Sequence, residues 1–63
     1  MKTTKESIEF YLGLVDNGSN TIYVQQENGR NNVKTTNGNE LIFSGTKKEV
    51  YNFLVGLYRL MCL

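Results

Sequence analysis

Thr46 to Leu63 is the stretch that most limits what this chain can fold into. Thr46 and Glu49 have the spacing of a capping box, in which each side chain satisfies a backbone N–H at a helix start. After them Val50, Phe53, Leu54, Leu57 and Met61 recur at helical spacing and form one apolar stripe. Tyr51, Val55, Tyr58 and Cys62 form a second stripe beside it. From Phe53 onward only Gly56 and Arg59 interrupt the apolar run. A helix apolar over most of its circumference must be covered on more than one side.

The chain has 63 residues with which to provide that cover, enough for a single domain over 1–63. A domain this small buries only about 60% of the surface its unfolded chain exposes, and usually leans on a disulfide, a metal or a partner. Cys62 is the one cysteine and histidine is absent. An internal disulfide is therefore excluded, and a structural zinc site has too few ligands. A second copy of the chain is the remaining support, and a homodimer is expected.

Residues 3–15 read two ways. Ile8, Phe10, Leu12 and Leu14 alternate as in a strand, whereas Ile8, Tyr11, Leu12 and Val15 fit a helix. The flanks favour the helix: Thr3 with Glu6 as a capping box, and Asn17-Gly18 as a stop. The stretch also echoes the C-terminal one at an offset of 43, where Thr3, Lys5, Glu6, Phe10, Gly13 and Leu14 match Thr46, Lys48, Glu49, Phe53, Gly56 and Leu57. Gly13 and Gly56 sit inside the two helices, each at a cost of about 1 kcal/mol relative to Ala. A helix crossing near these glycines would offset that cost.

Residues 20–44 read as a three-stranded meander. Thr21 to Gln26, Asn32 to Thr36 and Glu40 to Ser44 are β-rich runs separated by Asn28-Gly29 and Asn37-Gly38. A four-residue loop over Glu27 to Arg30 sets Val24 opposite Val33 and Ile22 opposite Thr35. For the second turn, a two-residue loop would set Lys34 opposite Leu41, with a charge beside the apolar anchors Leu41 and Phe43. A three-residue loop with Gly38 left-handed sets Val33 opposite Leu41 instead, and is preferred on that ground. The inner face is then Ile22, Val24, Val33, Leu41 and Phe43. The expected class is α+β in the order α-β-β-β-α, a meander with the long C-terminal helix on one face and the shorter N-terminal helix beside it. The alternative is β-β-β-β-α.

The net charge of +1 offers no strong field for nucleic acid or a membrane. The C-terminal apolar run is about half of the roughly 20 residues a membrane span needs. No apolar h-region follows the N-terminal Met-Lys-Thr-Thr-Lys-Glu-Ser, so no signal peptide is expected, and a cytoplasmic location is the default. Asn is abundant, while Ala, Pro, Trp and His are absent. This bias toward AT-rich codons has the flavour of a phage or mobile-element reading frame.

Chemistry has little to work with. Glu6 and Glu9 lie one helical turn apart and Asp16 is farther on, but acid–base work needs a pocket that separates their pKa values. Early-helix Glu more often complements the helix dipole. There is no His to act as a base, and Cys62 has no activating partner in the sequence. An enzyme is not expected, nor any cofactor or metal. Two binding readings remain. In the first, the excess apolar surface of the C-terminal helix is a protein interface of Tyr51, Val55, Tyr58, Arg59 and Cys62. The bland counterpart is that the N-terminal helix covers the same stripe within one chain. In the second, Tyr23, Arg30 and Lys34 on the outer sheet face contact nucleic acid, although one aromatic makes a thin stacking platform. The favoured expectation is a small cytoplasmic protein-binding module. It is expected to act as a homodimer and to inhibit a host protein of the defence or transcription machinery. A nucleic-acid-binding regulator is the alternative.

Overall fold

The computed structural model describes residues 5–62. The elements are α1 (Lys5–Asp16), β1 (Ile22–Glu27), β2 (Arg30–Thr35), β3 (Leu41–Gly45) and α2 (Lys47–Met61), in the expected α-β-β-β-α order. Residues assigned to a first strand in the alternative reading are helical. The Thr3–Glu6 capping box expected at the start of α1 lies partly outside the described residues. The end of α1 is as the sequence implies. Asn17 and Gly18 are left-handed, with φ of 50° and 76°. The Asn17 N–H donates to the Gly13 carbonyl at 2.8 Å, closing the last turn.

The sheet is open, in the order β1-β2-β3, and antiparallel throughout. In the first hairpin Val24 faces Val33 and Ile22 faces Thr35, as expected. Pairing continues to Glu27 and Arg30, so the loop is two residues rather than four. Asn28 and Gly29 both take positive φ, 51° and 77°, which suits the primed turns that follow strand twist.

The second hairpin departs from the sequence reading. Lys34 does face Leu41, the pairing rejected above, while Val33 faces Phe43. A β-bulge between the two pairs absorbs Ile42 as an extra residue. The bulge removes the conflict that had argued against this register. Lys34 and Leu41 go to the outer face, where the Lys34 ammonium donates to the Gln25 side chain at 2.9 Å. Phe43 alone turns inward, and its ring stacks on Phe53 of α2 at 4.5 Å and 6°. Leu41 is 59% exposed and is not part of the core.

Both helices lie on the inner face. Ile8 from α1, Val33 from β2, and Val50 and Leu54 from α2 form the buried cluster, flanked by Tyr11, Leu12, Val15, Ile22, Val24, Phe43, Tyr51, Phe53 and Leu57. The capping box forms: Glu49 N–H donates to Thr46 Oγ1 at 3.2 Å, and Thr46 N–H donates to Glu49 Oε1 at 2.8 Å. Gly45 makes this corner feasible. A Cβ there would lie 2.8 Å from Glu49 Oε1 and 3.0 Å from Glu49 Cβ. The helix glycines have no such role. A Cβ on Gly13 or Gly56 would meet nothing within 4 Å, so the helices do not cross on them.

Candidate interaction surfaces

The molecule is a slab of 33 × 32 × 16 Å, two layers thick, so its helical side and its bare sheet side both face solvent. Each carries one of the residue sets named from the sequence.

On the helical side, α1 covers part of the second stripe of α2. The Tyr11 ring meets Tyr51 edge-on at 5.3 Å and Tyr58 at 6.1 Å. Tyr51 and Tyr58 are half-buried as a result. Val55 is also half-buried but lies outside the core cluster, and Arg59 and Cys62 are exposed. The stripe is therefore divided. Its tyrosines meet α1, with Tyr51 also packed against the core, Val55 is half-buried, and Arg59 and Cys62 are left to solvent. The Tyr58 phenol is raised above its usual range, first by its hydrogen bond with the Cys62 thiol one turn on.

The apolar surface does not end at the tyrosines. Phe10 lies edge-on to Tyr11 at 5.4 Å and is 63% exposed, so it extends the aromatic cluster outward. Leu14, one turn along α1 from Phe10, is half-buried and also outside the core cluster. Leu60 and Met61 are exposed in the last turn of α2. Phe10, Leu60 and Met61 were missed as surface residues in the sequence reading. For Phe10 the signal was there: Ile8, Tyr11, Leu12 and Val15 define the buried stripe, and Phe10 falls on the opposite side of the helix.

On the sheet side, Tyr23 and Lys34 are cross-strand partners, and Arg30 lies two steps of alternation from Lys34 on the same face. The three residues are thus brought onto one uncovered surface. Their polar ends are occupied, however. Tyr23 donates to Asn39 Oδ1 at 2.7 Å, and Arg30 Nε donates to Ser44 Oγ at 3.2 Å. Ser44 passes the chain on to Asn32 Oδ1 at 2.6 Å. Lys34 is held by Gln25, as above. The exposed Leu41 and Ile42 border this face on the β3 edge, where one side of the strand has no neighbour.

Among the described residues no group of three or more His, Cys, Asp and Glu is placed to hold a metal ion. No described helix is long and apolar enough to cross a membrane. The fold and these surfaces define a small two-layer α+β protein with one helical and one bare-sheet face. Comparison with protein-family models, with curated proteins and with solved structures returns no match.

Proposed function

We propose that this protein is a non-enzymatic protein-binding module that works through its helical face. One observation carries the reading. Three of the five large apolar side chains exposed among the described residues, Phe10, Leu60 and Met61, belong to the two helices, and the other two, Leu41 and Ile42, border the sheet face. Large apolar groups left outside the core of so small a domain are surface to spare for a partner. Phe10 with Tyr11, Tyr58, Val55 and Arg59 supplies aromatic anchors and an arginine, the residue types that dominate interface energetics.

The first partner is a second copy, through a self-complementary contact of the helical faces. The second is a host protein, whose activity the bound module blocks. The mobile-element flavour of the composition suggests a target in the defence or transcription machinery. Sedimentation velocity tests the interface. Wild-type protein is expected as a dimer, and Phe10→Glu as a folded monomer. A monomeric wild type, or a Phe10→Glu variant that stays dimeric, sinks the helical-face reading. Nucleic-acid binding at Tyr23, Arg30 and Lys34 is the second reading, favoured only by their sharing a bare face. Lys34→Glu separates the two, because it should weaken nucleic-acid binding and leave the oligomeric state alone.

A further inference from the structure

A pocket of about 230 Å³ opens between α1, the start of α2 and the sheet, and its lining includes Tyr23 but none of Phe10, Tyr11, Val55, Tyr58 and Arg59. Lys5 and Lys47, the first residues of α1 and α2, both line it, so both helices begin beside it. Ile8 and Leu12 of α1 and Val24 of β1 give it an apolar wall.

Asn31 is the unusual member. It shares the inner face of β2 with Val33, two residues on, and therefore points toward the helices rather than to the bare side. It is 6% exposed, and among the described residues it is the polar residue found buried. Its carboxamide has no hydrogen-bond partner among them. Yet no described side-chain nitrogen or oxygen is both sealed from solvent and unpaired. What access the Asn31 amide keeps is consistent with the pocket it lines. A nearly buried amide that reaches the outside only through this pocket is free to bond to a molecule that enters it.

The surroundings restrict what that something is. Asn31 offers two N–H donors from a fixed position. Gln26, its direct cross-strand partner, brings a second amide to the same pocket. Glu9 also lines the pocket, but its carboxylate lies 4.0 Å from the Lys5 ammonium, so these two charges offset each other. The ammonium of Lys47 is left over. The site is then one cation, two amides and an apolar wall, with the positive end of α2 beside it.

We propose that this pocket binds a small monocarboxylate with a short apolar chain. The carboxylate accepts from the Asn31 amide and pairs with Lys47, and the chain lies against Ile8, Leu12 and Val24.

Titration of the full 63-residue chain with hexanoate, followed by amide NMR, tests this. Hexanoate at millimolar concentration should shift the Asn31 side-chain NH2 together with the backbone amides of Ile8 and Lys47. Hexanol and hexylamine, which keep the chain and lose the carboxylate, should bind about tenfold more weakly. Asn31→Ala and Lys47→Gln should each weaken hexanoate by a similar factor. Lys47 is exposed, so Lys47→Gln decides the matter if Asn31→Ala fails to fold. The proposal is overturned by an absence of shifts, by equal binding of hexanol, or by hexanoate affinity unchanged in Lys47→Gln.

Discussion

The two helices carry the same local pattern and are used differently. Lys5, Glu6, Phe10, Gly13 and Leu14 of α1 match Lys48, Glu49, Phe53, Gly56 and Leu57 of α2. In α2 the matched phenylalanine stacks on Phe43, whereas in α1 it is 63% exposed. The buried positions explain the difference. α2 buries Val50 and Leu54, whose counterparts in α1 are Ser7 and Tyr11, whereas α1 buries Ile8, the counterpart of Tyr51. One residue is about 100° of helix rotation. The phase of the remaining apolar residues, not the shared motif, decides which face of each helix meets the sheet.

Substitutions in the two helices should therefore differ most where the pattern looks most alike. Leu54→Ala removes a fully buried side chain of α2 and should cost about 2–5 kcal/mol in denaturant unfolding. That is a large part of the stability of any small domain. Phe10→Ala, at low protein concentration, should stay within about 0.5 kcal/mol of wild type. Equal losses from the two would mean that Phe10 is packed and that the contrast between the helices is wrong.

Gly45→Ala probes the corner that sets α2 on the sheet. Its Cβ must displace the Glu49 side chain, which the capping box holds in place, so a loss of about 1–3 kcal/mol is expected. Thr46→Ala removes one half of the same box and should cost about 1 kcal/mol. If Gly45→Ala is neutral in thermal unfolding, the close approach is relieved more cheaply than the geometry implies. The helix glycines should show the opposite sign. Gly13→Ala and Gly56→Ala add a methyl group in open space, and each should stabilise by about 0.5–1 kcal/mol. A loss at either position would revive the idea of a close backbone contact there, whether with the other helix or with a second copy.

Much of this was legible in the residues. The capping box at Thr46 and Glu49, the Asn17-Gly18 stop and the first hairpin register are local, and local chemistry specified them. The β3 register was not. Counting loop residues compares only regular ladders, and the chain instead uses a bulge at Ile42 that leaves Lys34 outside and turns Phe43 inward. Nothing within β3 announces that choice; the Phe43–Phe53 stack that accompanies it lies across the core. The candidate helical surface was half legible. Tyr51, Val55 and Tyr58 were visible as a stripe, but how much α1 covers depends on its rotation. The Tyr11 contacts record that rotation, and no local signal encodes it.

The smallest effect at neutral pH is electrostatic, and it separates the helices by their anchored ends. α2 is tied at its start by Glu49, whose carboxyl is lowered first by the Thr46 backbone N–H. α1 is tied at its end by Asp16, which accepts from the backbone N–H of Thr21 at 2.7 Å and of Asn20 at 2.8 Å. The Thr21 backbone bond is the largest cause, and it helps bring the Asp16 pKa from 3.8 down to about 2. A carboxyl lowered in the folded state stabilises fully above its unfolded pKa, and the contribution fades as pH falls through the folded value. For Asp16 that window runs from 3.8 down to about 2. Thermal unfolding of the wild type should accordingly lose stability across that window, and Asp16→Asn should start lower at neutral pH and fall less steeply. In amide NMR the Asn20, Thr21 and Ile22 signals should move with the same midpoint, since all three N–H groups point at one carboxylate. If Asp16→Asn shows the wild-type acid profile, the Asp16 carboxylate does not hold the end of α1, and the contrast between the two anchored ends fails.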